Sequence, residues 1–135
     1  GSYEALFRML VNGRFDLFPR GINEVFGELA ARRAELPELA VEDSLLIHYP
    51  QAYYFFVARS NAALAERIEQ GLKAMLRDGS FDAHFWRYQG DAIRQAHLGE
   101  RRLLKLDNPL LPPDTPLADS RLWFNPKTDQ PGRKR

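Results

Sequence analysis

A continuous apolar run, Tyr53–Ala58, constrains the fold of this chain more than any other sequence feature. Its six residues are aromatic or aliphatic, so a strand formed by them would have no clearly polar face to turn toward water. Strands of this kind occur in sheets that helices cover on both faces. The run therefore predicts a buried strand in an α/β protein.

Helical periodicity lies on both sides of this run. Apolar residues recur at intervals of three and four near the N-terminus and again after Ser60 and Asn61, either of which can cap a helix. Glycines and prolines mark where the periodic segments end. The predicted helices cover residues 3–11, about 23–35, 62–78 with its end at Asp78-Gly79, 80–90 with its end at Gly90, and about 91–98.

Shorter apolar stretches predict the remaining strands. We expect strands at Phe15–Phe18, within Leu39–Tyr49 and at Arg102–Leu106. The segment 109–116 contains four of the nine prolines and is predicted to be irregular. The pattern as a whole predicts an α/β fold that is helix-rich with a small mixed sheet.

Charge and composition exclude several classes of protein. The chain carries 19 basic and 18 acidic residues, a net charge of +1, whereas dedicated nucleic-acid-binding proteins have a strongly basic face. We therefore expect no nucleic-acid partner. Cysteine is absent, which excludes a disulfide framework and thiol catalysis.

The sequence contains no recognisable catalytic or metal-binding pattern. His48, His84 and His97 show no short paired spacing, no serine lies in a G-x-S-x-G motif, and no glycine-rich phosphate loop occurs. We expect a protein that is not an enzyme, with no catalytic residue, no metal and no cofactor. The alternative is a small hydrolase of unrecognised family, which a reactive serine or a bound metal would reveal.

One ion pair is predicted from helical spacing alone. Glu28 and Arg32 lie four residues apart in the orientation that favours a surface pair on a helix.

Four segments resemble one protein family. Residues 3–16 resemble the "E-A-L-x-x-L-x-x-G-R-x-D" passage of family 3 extracellular solute-binding proteins, the receptors of polar amino-acid ABC transporters. Residues 53–61 resemble their "Y-x-x-x-V-x-K-x-N" strand, which crosses between lobes. Residues 64–79 and 80–88 resemble the "L-x-x-x-I-x-x-x-L-x-x-L-x-x-D-G" helix and the "T-Y-D-x-I-x-x-K-Y" segment that follow it.

The resemblance implies a truncated type II periplasmic-binding-protein fold of which this chain is the C-terminal part. Residues 3–49 would belong to lobe 2, residues 50–126 to the crossover and the return to lobe 1 with a C-terminal extension, and residues 127–135 to a flexible tail. The implied function is non-catalytic binding of a small polar solute by lobe closure in the periplasm, with an ABC transporter permease as partner. The alternative is an extracytoplasmic ligand-sensing domain of a signalling protein.

The resemblance also points to ligand-contacting residues. Family members often bind the ligand's amino group through the second Asp of a "D-x-x-x-x-D" pattern, and Gly21 occupies that position here. Since glycine cannot neutralise an ammonium group, a free amino acid is a poor candidate ligand. Arg20, Asn23 and Glu24 beside it, and Tyr53 in the crossover, are the other implied contacts. Alternatively, Asn23 caps the following helix and Glu24 faces its positive N-terminus.

Two further expectations concern assembly and the N-terminus. Half of a two-lobed protein would leave an apolar segment such as 53–58 without cover, so we expect a homo-oligomer. Gly1-Ser2 looks like the remnant of a cleaved tag and is left out of the fold prediction.

Overall fold

The computed structural model describes residues 2–131, which form four α-helices, two short strands and one 3-10 helix. A small, helix-rich α/β arrangement is therefore confirmed for the described residues. The elements in chain order are α1 (Tyr3–Val11), α2 (Val25–Arg32), β1 (Leu45–His48), α3 (Ala62–Asp78), α4 (Ser80–Ala96), β2 (Arg102–Lys105) and the 3-10 helix Ser120–Leu122.

Side-chain caps fix the starts of two helices. The Asn61 Oδ1 atom accepts a hydrogen bond from the Leu64 amide at 3.2 Å, so Asn61 and not Ser60 caps α3. Helix α1 begins in the same way, because the Ser2 Oγ atom accepts from the Ala5 amide at 3.3 Å. Ser2, interpreted above as part of a tag remnant, therefore caps α1. Gly79 ends α3 in the left-handed conformation at φ 82°, which glycine adopts without steric cost.

A single helix replaces two predicted ones. The structure runs α4 without a break from Ser80 to Ala96, so the predicted stop at Gly90 is wrong. Gly90 is buried, and a Cβ atom there would lie 3.2 Å from the Arg94 Nη1 atom. One glycine costs a helix only about 1 kcal/mol, which is less than the cost of ending and restarting it.

The sheet has two parallel strands, not the mixed arrangement predicted. Leu46 pairs with Leu103 and Ile47 pairs with Leu104 across β1 and β2. Burial alternates along β1, and in β2 only Leu103 is partly covered, so Leu46 and Leu103 mark the more covered face. The predicted strands at 39–49 and 102–106 are confirmed in their central parts.

The other two predicted strands do not form. Phe15–Phe18 is a bend whose rings pack beside α1, and Tyr53–Ala58 has no regular structure. A strand needs a hydrogen-bonded neighbour, and within residues 2–131 only β1 and β2 provide one, for each other. Apolar sequence alone therefore did not make a strand at either place.

We call the residues from Glu42 onward the C-terminal half and those before it the N-terminal half. Arg101 joins three parts of the C-terminal half and is only 9% exposed. Its Nε atom donates to the Ala96 carbonyl at the end of α4, and its Nη1 atom donates to the carbonyls of Glu42 and Leu45 at the start of β1. The end of α4 is thereby held against the start of the sheet.

The C-terminal segment packs back onto this half. The Phe124 ring lies 5.5 Å from Phe85 and 6.0 Å from Trp86, both on α4. Lys127 Nζ donates to the carbonyls of Leu98, Gly99 and Arg101 at 3.2, 3.0 and 2.7 Å. The predicted tail, 127–135, thus begins with an anchored residue, and its last four residues lie outside the described residues. Segment 109–116 is irregular, as predicted.

The core is small for a chain of this length. The buried apolar residues of the described part are Phe7, Leu36, Ala96 and Leu98. The chain exposes 10682 Å², whereas a compact monomer of 15.6 kDa exposes roughly 7,200 Å². Among residues 2–131, no helix is both long and apolar enough to cross a bilayer.

Candidate functional site

Four aromatic rings position the loop that carries most of the predicted ligand contacts. Phe18 lies 5.2 Å from Phe7 and 6.2 Å from Phe15, and Tyr3 lies 5.3 Å from Phe7. Tyr3 and Phe7 share one face of α1, so the loop after α1 folds back onto its own helix. This packing places Arg20 beside the rings.

Arg20 lies between the aromatic rings and α2. Its Cζ atom is 5.2 Å from the Tyr3 ring centroid and 5.3 Å from that of Phe18, within range of a cation–π interaction. The guanidinium also donates two hydrogen bonds to the Glu28 carboxylate, from Nε to Oε2 at 2.9 Å and from Nη2 to Oε1 at 2.6 Å. Its Nη2 atom donates to Glu24 Oε2 at 2.7 Å. A bidentate arrangement of this kind is the strong form of an ion pair.

The Arg20–Glu28 pair shifts the titration of both side chains. The hydrogen bond from Arg20 holds the pKa of Glu28 below its ordinary value of 4.5, and the same bond raises the pKa of Arg20. The Tyr3 hydroxyl also donates to Glu28. Partial desolvation of that hydroxyl, together with this bond to a carboxylate, raises the pKa of Tyr3. Glu28 is therefore an ionised carboxylate that accepts hydrogen bonds from two side chains, Arg20 and Tyr3.

Arg32 forms the second half of the same cluster. It donates to Glu4 through Nε at 3.1 Å and Nη2 at 2.7 Å, and its Cζ atom lies 3.9 Å from the Phe7 ring centroid. The bond to Glu4 raises the pKa of Arg32. Toward Glu28, Arg32 donates to the backbone carbonyl at 2.9 Å, not to the carboxylate. The predicted Glu28–Arg32 side-chain pair is wrong, because partners on α1 and in the loop take both side chains.

The structure brings together four of the five predicted contact residues. Arg20 and Glu24 are paired directly, and the Gly21 carbonyl accepts from the amides of Glu24 and Val25 at 3.0 Å each. A Cβ atom at Gly21 would lie 2.5 Å from the Asn23 Oδ1 atom, so a larger residue there would require the Asn23 side chain to move. The N-cap of α2 is Glu24, without a capping bond from its side chain, so the alternative that Asn23 caps this helix is wrong.

Tyr53 is separate from the other four. Its side chain is 88% exposed, and within residues 2–131 it makes no hydrogen bond or ring contact with Arg20, Glu24 or their neighbours. The structure therefore does not join Tyr53 to the Arg20 cluster.

The cluster carries more negative than positive charge. Two arginines, Arg20 and Arg32, face three carboxylates, which gives a formal charge of −1 when all are ionised. Glu24 is the most accessible of the carboxylates bonded to Arg20, since its side chain is about half exposed whereas that of Glu28 is nearly covered. Glu4, bonded to Arg32, is exposed to the same degree, so the cluster can offer a ligand two half-exposed carboxylates, each backed by a guanidinium.

Sequence reasoning missed the two residues that organise this cluster, Tyr3 and Glu28. Their signal was indirect: the aromatic spacing of Tyr3, Phe7, Phe15 and Phe18 indicated a ring cluster that an arginine could join. Within the described part of the chain, this cluster included, no group of three His, Asp or Glu side chains is placed to hold a metal ion.

Comparison of the chain with protein-family models, with curated proteins and with solved structures finds no match. The resemblance of the four segments to solute-binding receptors stays a prediction.

Proposed function

We propose that this chain is the C-terminal part of an extracytoplasmic solute-binding receptor of the type II periplasmic-binding-protein kind. In this proposal, it holds a small polar solute by lobe closure, without catalysis, and delivers the solute to an ABC transporter permease from the periplasm. The observation that carries the proposal is the exposed aromatic segment, Tyr53–Phe56, in which the side chains of Tyr53 and Phe56 are 88% and 93% exposed.

The aromatic segment has the composition of a buried strand in an unburied position. Covering a side chain such as Phe stabilises a protein by about 1.5–3 kcal/mol relative to leaving it exposed. Four adjacent aromatic residues therefore leave a large stabilisation unused in the structure as it stands. A strand that crosses between two lobes, and whose sheet neighbours belong to the other lobe, accounts for both the composition and the exposure.

The Arg20 cluster supplies the polar side of the proposed solute site. Glu24 presents an exposed carboxylate, and a 2.7 Å hydrogen bond from Arg20 Nη2 to Glu24 Oε2 holds it in position. Such a group suits a solute with hydrogen-bond donors, and the Arg20 guanidinium can then donate to the solute's carbonyl or hydroxyl oxygens. Gly21 stands where family 3 solute-binding proteins often have the carboxylate that binds an amino group, so the proposed solute is a polar molecule other than a free α-amino acid.

The test starts from the complete coding sequence that contains this chain. We expect it to encode a second α/β lobe, and we expect one or more small polar solutes to raise the melting temperature of that complete protein. Calorimetry with the best solute then compares Glu24→Gln with Glu38→Gln, an exposed glutamate outside the cluster.

Losing one charge-assisted hydrogen bond costs about 1.5–3 kcal/mol, so Glu24→Gln is expected to weaken binding roughly 10-fold to 100-fold. Glu38→Gln is expected to bind like the natural protein. A coding sequence with no second lobe, or equal binding by the two variants, would contradict the proposal.

A further inference from the structure

Three backbone carbonyls converge on a single point just after the end of α4. The carbonyl oxygens of Leu98, Gly99 and Arg101 lie 3.2, 3.0 and 2.7 Å from the Nζ atom of Lys127, and we call these three oxygens the carbonyl cradle. A primary ammonium group has three N–H donors and no acceptor, so three carbonyls satisfy it completely. The cradle therefore has the donor–acceptor pattern of a binding site for one ammonium group.

The first two oxygens of the cradle are positioned by contacts that do not involve Lys127. His97 adopts the left-handed conformation at φ 49°, and the Glu100 amide donates to the His97 carbonyl at 3.0 Å. This bond closes a tight turn in which Leu98 and Gly99 are the central residues, so it leaves their carbonyls available. The Leu98 side chain is only 4% exposed and anchors the turn to the rest of the protein.

The third oxygen is fixed by the backbone of β2. The Arg102 amide belongs to the same peptide unit as the Arg101 carbonyl, and it donates to the Ser44 carbonyl at 2.7 Å. This peptide unit is planar and trans, so its carbonyl points opposite to its N–H, away from Ser44. The Arg101 side chain is held in addition by the carbonyls of Ala96 and Leu45. We therefore expect the cradle to keep its shape when Lys127 is absent.

We propose that the carbonyl cradle is a preformed binding site for a primary alkylammonium group, and that Lys127 is the ligand that fills it in this structure. The proposal does not depend on the proposed function. Lys127 lies in a turn of its own, in which Asn125 Oδ1 accepts from the Lys127 amide and the Asn125 carbonyl accepts from the Asp129 amide, both at 3.0 Å. Because local contacts shape both the cradle and this turn, a free alkylamine takes the place of Lys127 once its side chain is removed.

The geometry of the cradle selects among cations. Tetramethylammonium carries the same charge but has no N–H group to donate. A guanidinium spreads its donors over a plane and does not aim three of them from one nitrogen. A potassium ion in a channel is surrounded by carbonyls from four loops, more than the cradle supplies. We therefore expect the cradle to prefer methylammonium to both tetramethylammonium and potassium.

An NMR titration of the Lys127→Ala variant of the 135-residue chain tests the proposal. Methylammonium chloride is expected to shift the amide signals of Gly99, Glu100 and Arg102, which share peptide units with the cradle carbonyls. The shifts are expected to saturate with a dissociation constant of about 10 mM, near the limit for a ligand with two non-hydrogen atoms. Tetramethylammonium chloride and potassium chloride at the same ionic strength are expected to leave these signals nearly unchanged.

Lys73→Ala is the matched control, because Lys73 is a half-exposed lysine on α3 that bonds to Glu69. In this variant and in the natural chain, Lys127 still fills the cradle, so methylammonium is expected to cause little shift at the same three amides. Equal shifts with methylammonium and tetramethylammonium or potassium, or no saturable shift in Lys127→Ala, would overturn the proposal.

A measurement on the natural chain keeps the proposal open to refutation if Lys127→Ala fails to fold. The ammonium protons of Lys127 are expected to exchange with water roughly 10-fold more slowly than those of Lys73, since all three are held by carbonyls. Equal exchange at the two lysines would show that no ammonium site exists at this turn.

Discussion

The two halves of the molecule use arginine and lysine in different ways. In the N-terminal half, Arg20 and Arg32 bind carboxylates and lie beside aromatic rings. In the C-terminal half, Arg101 and Lys127 bind backbone carbonyls at the ends of α4 and the strands. A carboxylate can be protonated, whereas a backbone carbonyl cannot. We therefore expect acid to weaken the first half sooner than the second.

The halves also differ in what they leave exposed. Around Arg20, the aromatic rings and charges satisfy one another within the chain. Around the sheet, the polar groups at Arg101 are satisfied, but the apolar face of β1 and β2 and the aromatic segment remain open. The comparison teaches that the charged groups around Arg20 find their partners within the chain, whereas the sheet and the aromatic segment leave apolar side chains exposed.

The largest expected effect comes from removing Arg101. Arg101→Ala leaves the carbonyls of Ala96 and Leu45 without their donor in a covered position. An unsatisfied buried acceptor costs about 1–3 kcal/mol, so we expect a loss of about 2–4 kcal/mol in the free energy of unfolding. Urea unfolding measures it, and Arg102→Ala, one residue along and exposed, is the control. If Arg101→Ala and Arg102→Ala lost similar free energies of unfolding, the hydrogen bonds from Arg101 to the carbonyls would not be the source of the stability.

The next effect is at the centre of the N-terminal half. Glu28→Gln removes the negative charge of the carboxylate that accepts hydrogen bonds from Arg20 and Tyr3. We expect a loss of about 1–2 kcal/mol in the free energy of unfolding by urea, because charge-assisted bonds become neutral ones in a mostly covered site. Glu24→Gln, which removes a more exposed partner of the same arginine, is expected to cost less than about 0.5 kcal/mol. A larger loss for Glu24→Gln than for Glu28→Gln would reverse the assignment of Glu28 as the centre.

We expect acid to destabilise the N-terminal half more than the C-terminal half, because Glu28 is protonated at low pH. Because Arg20 lowers the pKa of Glu28 in the folded state, the stability that this residue contributes is complete above its ordinary value of 4.5. It is lost as the pH falls from there through the lower folded pKa. We expect the gap in urea midpoint between the natural chain and Glu28→Gln to narrow between pH 6 and about pH 3. A constant gap would mean that the pKa of Glu28 is not lowered. The gap between the natural chain and Arg101→Ala should change less over the same range.

The smallest expected effect is local. Lys127→Met removes the donor that ties the C-terminal segment to the loop between α4 and β2. We expect faster hydrogen exchange in residues 123–131 and a change of about 0.5 kcal/mol or less in global stability. Lys73→Met, on the exposed side of α3, provides the matched control and should leave exchange in this segment unchanged. Unchanged exchange in Lys127→Met would show that the ring contacts of Phe124 hold the segment by themselves.

Helices were the most predictable part of the fold. The spacing of apolar residues and the caps at Asn61 and Gly79 are local signals, and they placed α1, α3 and the start of α4 closely. The break predicted at Gly90 was wrong because a single glycine is a weak stop inside a helix whose hydrogen bonds continue on both sides.

Strands and the candidate site were less predictable. The two confirmed strands pair across 53 intervening residues, from His48 to Arg102, and Tyr53–Ala58 has no strand partner within the described residues. Arg20 and Glu24 were predicted as contact residues and lie together, but their organising partner Glu28 was assigned to Arg32 by helical spacing. Helical spacing identifies neighbours along one helix and carries no information about a loop that folds back onto it.

The sequence by itself determined where α1 and α3 lie and where β1 and β2 are centred, because these properties depend on residues close together in the chain. Only the tertiary structure decided that Glu28 binds Arg20 and Tyr3, that Arg101 joins α4 to β1, and that one face of the sheet is open. Each of these depends on which groups distant in sequence lie close together in the folded chain. A carboxylate or a guanidinium forms its strongest bonds with the partner whose geometry fits best, and that partner need not be near in sequence.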